Sequence, residues 1–182
     1  MSVLFGDPQR FAVEARVIVP AEHTGPEHLA EHDRFVYGHC CFWVGGTQVG
    51  RLAEIESLRV MQGACDSLLR HRDDREAREL ASCEPAELVA FLDEKLYGGL
   101  ERSRSEIRRD TRIYWRHNLH PQGVESFDRI GRLFLVENDA DARLVYCGID
   151  AQPLEVELET GFVDDVLAQF VRWFDEQHPQ SR

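Results

Sequence analysis

Short runs of β-forming residues alternate along this chain with longer stretches that have apolar residues at helical spacing. Phe11–Val19 is rich in β-forming residues with partial alternation, which predicts an early strand that ends at Pro20. Two further β-type runs meet at Gly45-Gly46 within the segment Tyr37–Gly50. Adjacent glycines supply the positive φ angles that a two-residue turn requires, so this segment predicts a β-hairpin.

Two amphipathic helices are predicted in the middle of the chain. Apolar residues recur at steps of three and four from Leu52 onward, as expected for a helix that runs to about Arg72. The apolar positions of this helix are Leu52, Ile55, Leu58, Met61, Cys65, Leu68 and Leu69. A second helix is predicted to begin near Pro85, whose fixed φ suits a first helical position, and to stop at Gly98-Gly99.

The last third of the chain predicts a β-meander. Three short runs of β-forming residues, Ile113–Trp115, Leu133–Val136 and Leu144–Cys147, are each interpreted as strands. A turn is predicted at Glu137–Asp141, because Asn and Asp are common turn residues. Leu154–Glu159 then alternates strictly between apolar residues and glutamate, which predicts a strand with one buried face and one acidic face.

A closing helix is predicted after the meander, opening at Thr160 or Gly161. Its wide apolar stripe consists of Phe162, Val163, Val166, Leu167, Phe170, Val171 and Phe174. Strands, then helices, then strands and a last helix predict an α+β fold with an antiparallel sheet. We interpret residues 1–182 as one domain with an N-terminal hairpin, two central helices, a C-terminal β-meander and a closing C-terminal helix.

The composition of the chain limits the class of protein that it can be. Apolar residues make up 43% and charged residues 30% of the chain, which is ordinary for a globular protein. No apolar run approaches the roughly 18 residues of a membrane span, and Met1–Asp7 lacks the pattern of a signal peptide. We therefore expect a cytoplasmic protein with no membrane partner. An odd number of cysteines without CxxC spacing predicts reduced, mostly buried thiols.

The net charge of −12 argues against direct nucleic-acid binding, which depends on cationic contacts to phosphate. A basic protein partner fits this charge, and so does an acidic surface that serves only solubility. Locally the sign is opposite between residues 101 and 116, where six arginines outnumber three acidic residues. This segment predicts a solvated helix.

The acidic residues are most concentrated in one stretch, the acidic ridge. Its members are Glu137, Asp139, Asp141, Asp150, Glu155, Glu157, Glu159, Asp164 and Asp165, with Arg143 as the only basic residue between them. Like charges along one sheet face repel each other, and a basic partner would convert that cost into affinity. A solvated sheet face is the alternative interpretation.

The histidines do not form a recognisable metal motif. Three of them lie in the polar segment 21–34, a predicted surface loop without a further convergent ligand: His23, His28 and His32. His117 and His120 lack the helical context of an HExxH motif. The chain also has no GxSxG, P-loop or GxGxxG pattern. We therefore expect no catalytic, cofactor-binding or metal-binding residues.

Several groups of residues follow one another in a characteristic order. They are Phe5-Gly6-Asp7-Pro8 with Phe11-Ala12-Val13-Glu14, Tyr37-Gly38-His39, Cys41-Phe42-Trp43-Val44-Gly45-Gly46 with Val49-Gly50, Leu96-Tyr97-Gly98, and His120-Pro121-Gln122-Gly123-Val124-Glu125-Ser126-Phe127-Asp128. In this order they resemble the immunity protein 42 family, and the resemblance spans most of the chain. The segment from Ala21 to Arg34 is longer than the family pattern.

The resemblance implies a bacterial cytoplasmic protein of a polymorphic toxin or contact-dependent inhibition system. Such a protein binds and neutralises one cognate toxin domain, needs no cofactor and is not an enzyme. The acidic ridge suits a basic toxin such as a nuclease, so we expect part of it to form the toxin-binding face. The residues expected there, called the five carboxylates below, are Asp139, Asp141, Glu155, Glu157 and Glu159.

Two alternatives from other classes stay open. The first is a small metal-dependent hydrolase that uses His39, His117, His120 and Cys147, and it requires these side chains to converge. The second is a scaffold module that binds a peptide along an open sheet edge.

Overall fold

The computed structural model describes residues 2–18, 36–75, 77, 79–80, 82–99, 101–128 and 130–179. The predicted loop from Ala21 to Arg34, with its three histidines, lies outside the described residues. The chain divides into two compact units. The first unit contains residues 1–70, 121–129 and 162–182, and the second contains residues 71–120 and 130–161. The single domain over residues 1–182 stays a prediction.

The described residues form eight strands and four α-helices, and this composition confirms the predicted α+β class. The strands are β1 (Val3–Asp7), β2 (Phe11–Val17), β3 (Tyr37–Val44), β4 (Thr47–Val49), β5 (Glu56–Ser57), β6 (Arg132–Glu137), β7 (Asp141–Cys147) and β8 (Leu154–Glu159). The helices are α1 (Leu58–Arg70), α2 (Pro85–Tyr97), α3 (Arg104–His117) and α4 (Phe162–Gln177).

An antiparallel sheet in the order β1-β2-β3-β4 organises the first unit, and β5 also pairs with β3. The predicted hairpin is confirmed, because β3 and β4 pair from Phe42 opposite Val49 to Val44 opposite Thr47. Gly45 and Gly46 have φ angles of 54° and 79°, the left-handed pair that a tight two-residue hairpin turn needs.

β1 was not predicted, because Gly6-Asp7-Pro8 has the composition of a turn. In the structure the strand continues to Asp7, which lies opposite Phe11, and the chain turns only at residues 8–10. Gly6 makes this possible with a φ of 88°, and a Cβ there would lie 2.5 Å from the carbonyl oxygen of Phe11. Glycine therefore serves close backbone approach here and not a turn.

Helices α1 and α4 pack against each other and against the sheet of the first unit. The apolar stripe of α4 is confirmed, with Phe170 and Trp173 at ring-centroid distances of 5.9 and 5.4 Å from Phe5. The predicted start of α1 at Leu52 is wrong. Glu56–Ser57 pairs with β3 as a short strand, and this pairing keeps the preceding residues out of the helix.

The second unit contains the predicted meander, an antiparallel sheet in the order β6-β7-β8. One face of this sheet packs against α2 and α3. The buried core at this contact consists of Ala77, Leu80, Leu88, Leu92, Tyr114, Phe134, Val136 and Val145. The leucines of the second predicted helix are therefore core residues, and α2 has the bounds that Pro85 and Gly98 predict.

The predicted strand at Ile113–Trp115 is wrong, because α3 runs through it to His117. A capping box starts the helix: the Ser103 hydroxyl accepts from the Glu106 amide at 3.3 Å, and the Glu106 carboxylate accepts from the Ser103 amide at 2.8 Å. The Tyr114 ring then packs 5.4 Å from Phe134 on β6. Helix capping and this tertiary contact outweigh the local β propensity of Ile-Tyr-Trp.

A buried ion pair supports the core of the second unit. Arg75 is 2% exposed, and its Nη1 lies 3.6 Å from the carboxylate of Glu137 on β6. The Glu137 carboxylate also accepts a hydrogen bond from the Gly161 amide at 3.1 Å, and its carbonyl oxygen accepts from Ala77 at 3.1 Å. Glu137 is thus a structural residue that binds both the segment of Arg75 and Ala77 and the segment at Gly161.

All five cysteines are free thiols, as predicted. Cys40, Cys41 and Cys65 are buried, and Cys83 and Cys147 are half-buried. Burial raises the pKa of Cys41 to about 12, so this thiol stays protonated at neutral pH.

We expect Arg75→Met to lower the free energy of unfolding by about 3 kcal/mol, because it leaves the Glu137 carboxylate buried without its cation. Urea denaturation measures this loss. The matched control is Arg70→Met at the exposed Arg70–Asp66 pair, for which we expect a loss of at most about 1 kcal/mol. Adding Glu137→Gln to Arg75→Met should recover part of the loss, and equal losses for both arginines would contradict the expectation.

Candidate partner-binding surface

The strand pairing in the second unit brings most of the five carboxylates to one face of the sheet. Asp141 lies opposite Glu159 across β7 and β8, Arg143 lies opposite Glu157, and Val145 lies opposite Glu155. Directly opposed residues of an antiparallel pair project to the same face. This is the face that packs against α2 and α3, and β8 is the outer strand where Glu157 and Glu159 are exposed.

The apolar face of β8 is only partly as predicted. Leu158 is buried, whereas Leu154 and Val156 are half-buried. The strict alternation in the sequence therefore predicts the two faces of this strand correctly but overstates how completely one of them is covered. This outer strand has only β7 as a neighbour in the described sheet.

Glu155 is engaged by a neighbouring guanidinium. Its carboxylate accepts a hydrogen bond from the Nε of Arg143, and both side chains are largely covered. Arg143 also donates from Nη1 to the Leu80 carbonyl oxygen at 3.2 Å and from Nη2 to the Cys83 carbonyl oxygen at 2.7 Å. Glu155 therefore orients Arg143, and its charge is not open to a partner in the way that of Glu157 is.

Asp139 and Asp141 lie on a turn with many internal hydrogen bonds. The Asn138 side-chain oxygen accepts from the amides of Ala140 and Asp141, both at 2.9 Å. The Thr160 hydroxyl donates to the Asn138 carbonyl oxygen at 2.8 Å. The backbone below the two exposed aspartates is thus held in one conformation. The sequence predicted the turn but not the role of Asn138, although an Asn before Asp-Ala-Asp is a signal for such a side-chain bonded turn.

A surface depression of about 280 Å³ lies between these carboxylates. Its lining residues are Asn138, Asp141, Ala142, Arg143, Glu157 and Leu158. Among the described lining residues Arg143 is the only cation, and its guanidinium already binds Glu155 and two carbonyl oxygens. The volume of the depression is enough for one or two side chains of a partner. The carboxylates of Asp141 and Glu157 favour a basic side chain there.

Two other members of the acidic ridge, Glu137 and Asp164, are buried. Glu137 is buried against Arg75, so Arg143 is not the only cation that balances the ridge. Asp164 is buried on α4, and Asp164 and Asp165 belong to the first unit, whereas the five carboxylates belong to the second. Fewer acidic side chains of the ridge are therefore exposed than the sequence suggested.

The hydrolase alternative requires histidine and cysteine side chains that converge. In the part of the chain that the structure describes, no group of three or more His, Cys, Asp or Glu could hold a metal ion. His39 lies 2.9 Å through Nδ1 from the Glu54 carbonyl oxygen in the first unit. His117 is buried in the second unit, with Nδ1 at 3.1 Å from the Leu135 carbonyl oxygen.

Two comparisons bear on identity. A family model described as Immunity protein 42 matches residues 1–173, which confirms the resemblance predicted from the sequence. The crystal structure of CdiI from Burkholderia dolosa AUO158 is similar to this chain with a TM-score of 0.66 and 23% identity, covering 94% of this chain and 99% of that chain. At this identity the similarity supports the fold alone.

Comparison with curated proteins gave no match. Within the described ranges, every helix is too short or too polar to cross a membrane.

We expect stability to fall as pH drops below about 6.5, in part through His117. Burial lowers the pKa of His117 to about 4, so the unfolded chain takes up this proton first. The contribution amounts to roughly 2 kcal/mol between pH 7 and pH 5. His117→Gln keeps a side-chain donor for the Leu135 carbonyl but does not titrate. Urea denaturation across this pH range should show a smaller loss for the variant, and parallel curves would contradict the assignment.

Proposed function

This chain belongs to the immunity protein 42 family, and we propose that it neutralises its cognate toxin by binding one toxin domain in the bacterial cytoplasm, without catalysis. As a member of this family it is an immunity protein. The proposal concerns how it acts: four exposed carboxylates of the second unit, called the acidic surface below, form part of the toxin-binding surface. They are Asp139, Asp141, Glu157 and Glu159.

The observation that carries this proposal is the exposed carboxylate cluster on a hydrogen-bonded turn and an outer strand. Asp141 and Glu159 lie directly opposite each other across β7 and β8, where like charges reduce stability. A basic surface would relieve that repulsion on binding. Because the Asn138 turn already fixes the backbone, little conformational entropy would be lost when a partner binds.

A basic toxin domain such as a nuclease has the matching chemistry. Nucleases bind phosphate through cationic residues, and those residues are the ones that an acidic surface can cover. The net charge of −12 would also raise the association rate with such a partner, by roughly 10- to 1,000-fold at low ionic strength. Fast association matters for an immunity protein, since it must reach the toxin before the toxin reaches its target.

Co-expression with the toxin domain encoded beside this gene tests the proposed function. We expect cells that carry both proteins to survive and the two chains to co-purify. A matched control strain carries the toxin with an unrelated acidic protein of similar size and should die. If the cells die although this protein is present in folded form, toxin neutralisation by direct binding is wrong for this pair.

We expect the double variant Glu157→Lys with Glu159→Lys to weaken toxin binding by at least about tenfold, mainly through a slower association rate. Biolayer interferometry at two salt concentrations measures both rates. The control is Glu101→Lys with Glu176→Lys, which makes the same charge change at exposed positions outside β7 and β8. Equal effects of the two pairs would show that only net charge matters, and would reject the acidic surface while leaving toxin binding intact.

A further inference from the structure

Helix α3 carries a row of arginines along one side of a groove in the second unit. Arg108, Arg112 and Arg116 follow one another at four-residue steps, so their side chains lie on the same helix face. The groove has a volume of about 560 Å³. The three arginines line it together with Leu80, Phe91 and Ile113, and we call it the arginine groove.

The three guanidiniums are not neutralised by the part of the chain that the structure describes. Arg109 donates from Nε to Asp110 at 3.1 Å, whereas Arg108, Arg112 and Arg116 make no hydrogen bond or ion pair with the described residues. The Nε of Arg116 is buried without a hydrogen-bond partner there. Unpaired buried donors are rare in folded proteins, so this one suggests an acceptor outside the described chain.

The other lining residues make the groove both cationic and apolar. Leu80, Phe91 and Ile113 contribute apolar surface. Glu79 is the single carboxylate among the lining residues that the structure describes, and it is exposed to solvent. In a chain with 33 acidic residues against 21 basic ones, three open arginines beside one carboxylate are a marked local reversal of charge.

We infer that the arginine groove binds an acidic peptide segment of the toxin domain. Its carboxylates would pair with Arg108, Arg112 and Arg116, since the guanidinium fork matches a carboxylate with two parallel hydrogen bonds. An apolar side chain of the same segment would rest on Phe91 and Ile113. This inference rests on the proposed function and adds a second contact of opposite charge.

The charge of the whole molecule favours a peptide over a nucleic acid in this groove. A nucleic acid brings one negative charge per nucleotide, and the net charge of −12 would repel it before it reached three arginines. A short peptide brings only a few carboxylates and can offer apolar side chains between them. The apolar residues of the groove therefore fit a peptide better than a sugar-phosphate chain.

The arginine groove and the acidic surface are built on one shared segment of the second unit. Leu80 lines the groove, and its carbonyl oxygen accepts the hydrogen bond from Arg143, which lies between Asp141 and Glu157 in the acidic depression. A toxin that contacts both sites must present a basic patch and an acidic segment at a set spacing. Such a two-sign pattern gives specificity, because a toxin with only one of the two features meets an unpaired charge.

The test compares two changes in the groove with one control change on the same helix. Arg112→Glu lies in the groove, and Arg104→Glu makes the same charge change at an exposed position outside it. Affinity for the purified toxin domain is measured by biolayer interferometry for wild type, Arg112→Glu, Arg108→Glu and Arg104→Glu. Each variant is first checked for an unchanged melting temperature. If Arg112→Glu is destabilised, the comparison rests on Arg108→Glu.

We expect Arg112→Glu and Arg108→Glu to weaken binding by at least about tenfold, with Arg104→Glu within about twofold of wild type. Toxin binding by wild type with equal affinities for the groove and control variants would overturn the groove inference and leave the proposed function standing. No toxin binding by wild type would overturn both. A labelled single-stranded 12-nucleotide DNA is titrated in parallel. Loss of DNA binding in Arg112→Glu with unchanged toxin affinity would assign the groove to nucleic acid and overturn the inference.

Discussion

The hydrogen bonds of the Arg143 guanidinium are the interaction on which the proposed binding surface of the second unit depends. The guanidinium reaches from β7 to Glu155 on β8 and to the carbonyl oxygens of Leu80 and Cys83 in the segment before α2. One side chain thus joins the outer strand, the sheet and the helix layer. Hydrogen bonds to an ionised group are stronger than those between neutral groups. The pair of Arg143 and Glu155 is also largely shielded from water. Without Arg143, the half-buried Glu155 carboxylate would lose the cation that pairs with it.

Repulsion between the carboxylates of the acidic surface lowers stability, while the proposed function requires these charges to be exposed. Asp141 and Glu159 face each other across two strands, and Glu157 lies beside them. A sequence selected only for stability would place opposite charges there. The repulsion is tolerated because the Asn138 turn holds the strand ends with several hydrogen bonds and because water screens the exposed carboxylates. Under the proposed function, a basic partner would relieve this repulsion on binding.

Buried polar residues in this protein serve structure. His117 is buried, bonded to the Leu135 carbonyl and uncharged at neutral pH, and Glu137 is held by Arg75 and the Gly161 amide. Each has the residue type of a catalytic group, yet Nδ1 of His117 and the carboxylate of Glu137 each have a structural partner. The residues that carry the proposed function lie instead at the surface, on an outer strand, a turn and one helix face. This distribution is what a binding protein requires, since its charges must remain accessible to the partner.

Local patterns in the sequence determined the fold class, the hairpin at Gly45-Gly46, helix α2, the strands of the meander and the membership of the family. These features depend on neighbouring residues or on motif order, which a single chain records. Tertiary contacts decided the other features. Pairing with Phe11 made Gly6-Asp7 a strand end, and the capping box with the Phe134 contact made Ile113–Trp115 helical.

The charges show the same division. The sequence determined that acidic residues are concentrated after Glu137 and arginines between residues 101 and 116. Only the tertiary structure decided that Glu155 is bound to Arg143, that Glu137 is buried, and that Arg108, Arg112 and Arg116 line a groove. The physical reason is that the availability of a charge depends on burial and on partners distant in sequence. Composition and residue spacing do not record burial or partners that are distant in sequence.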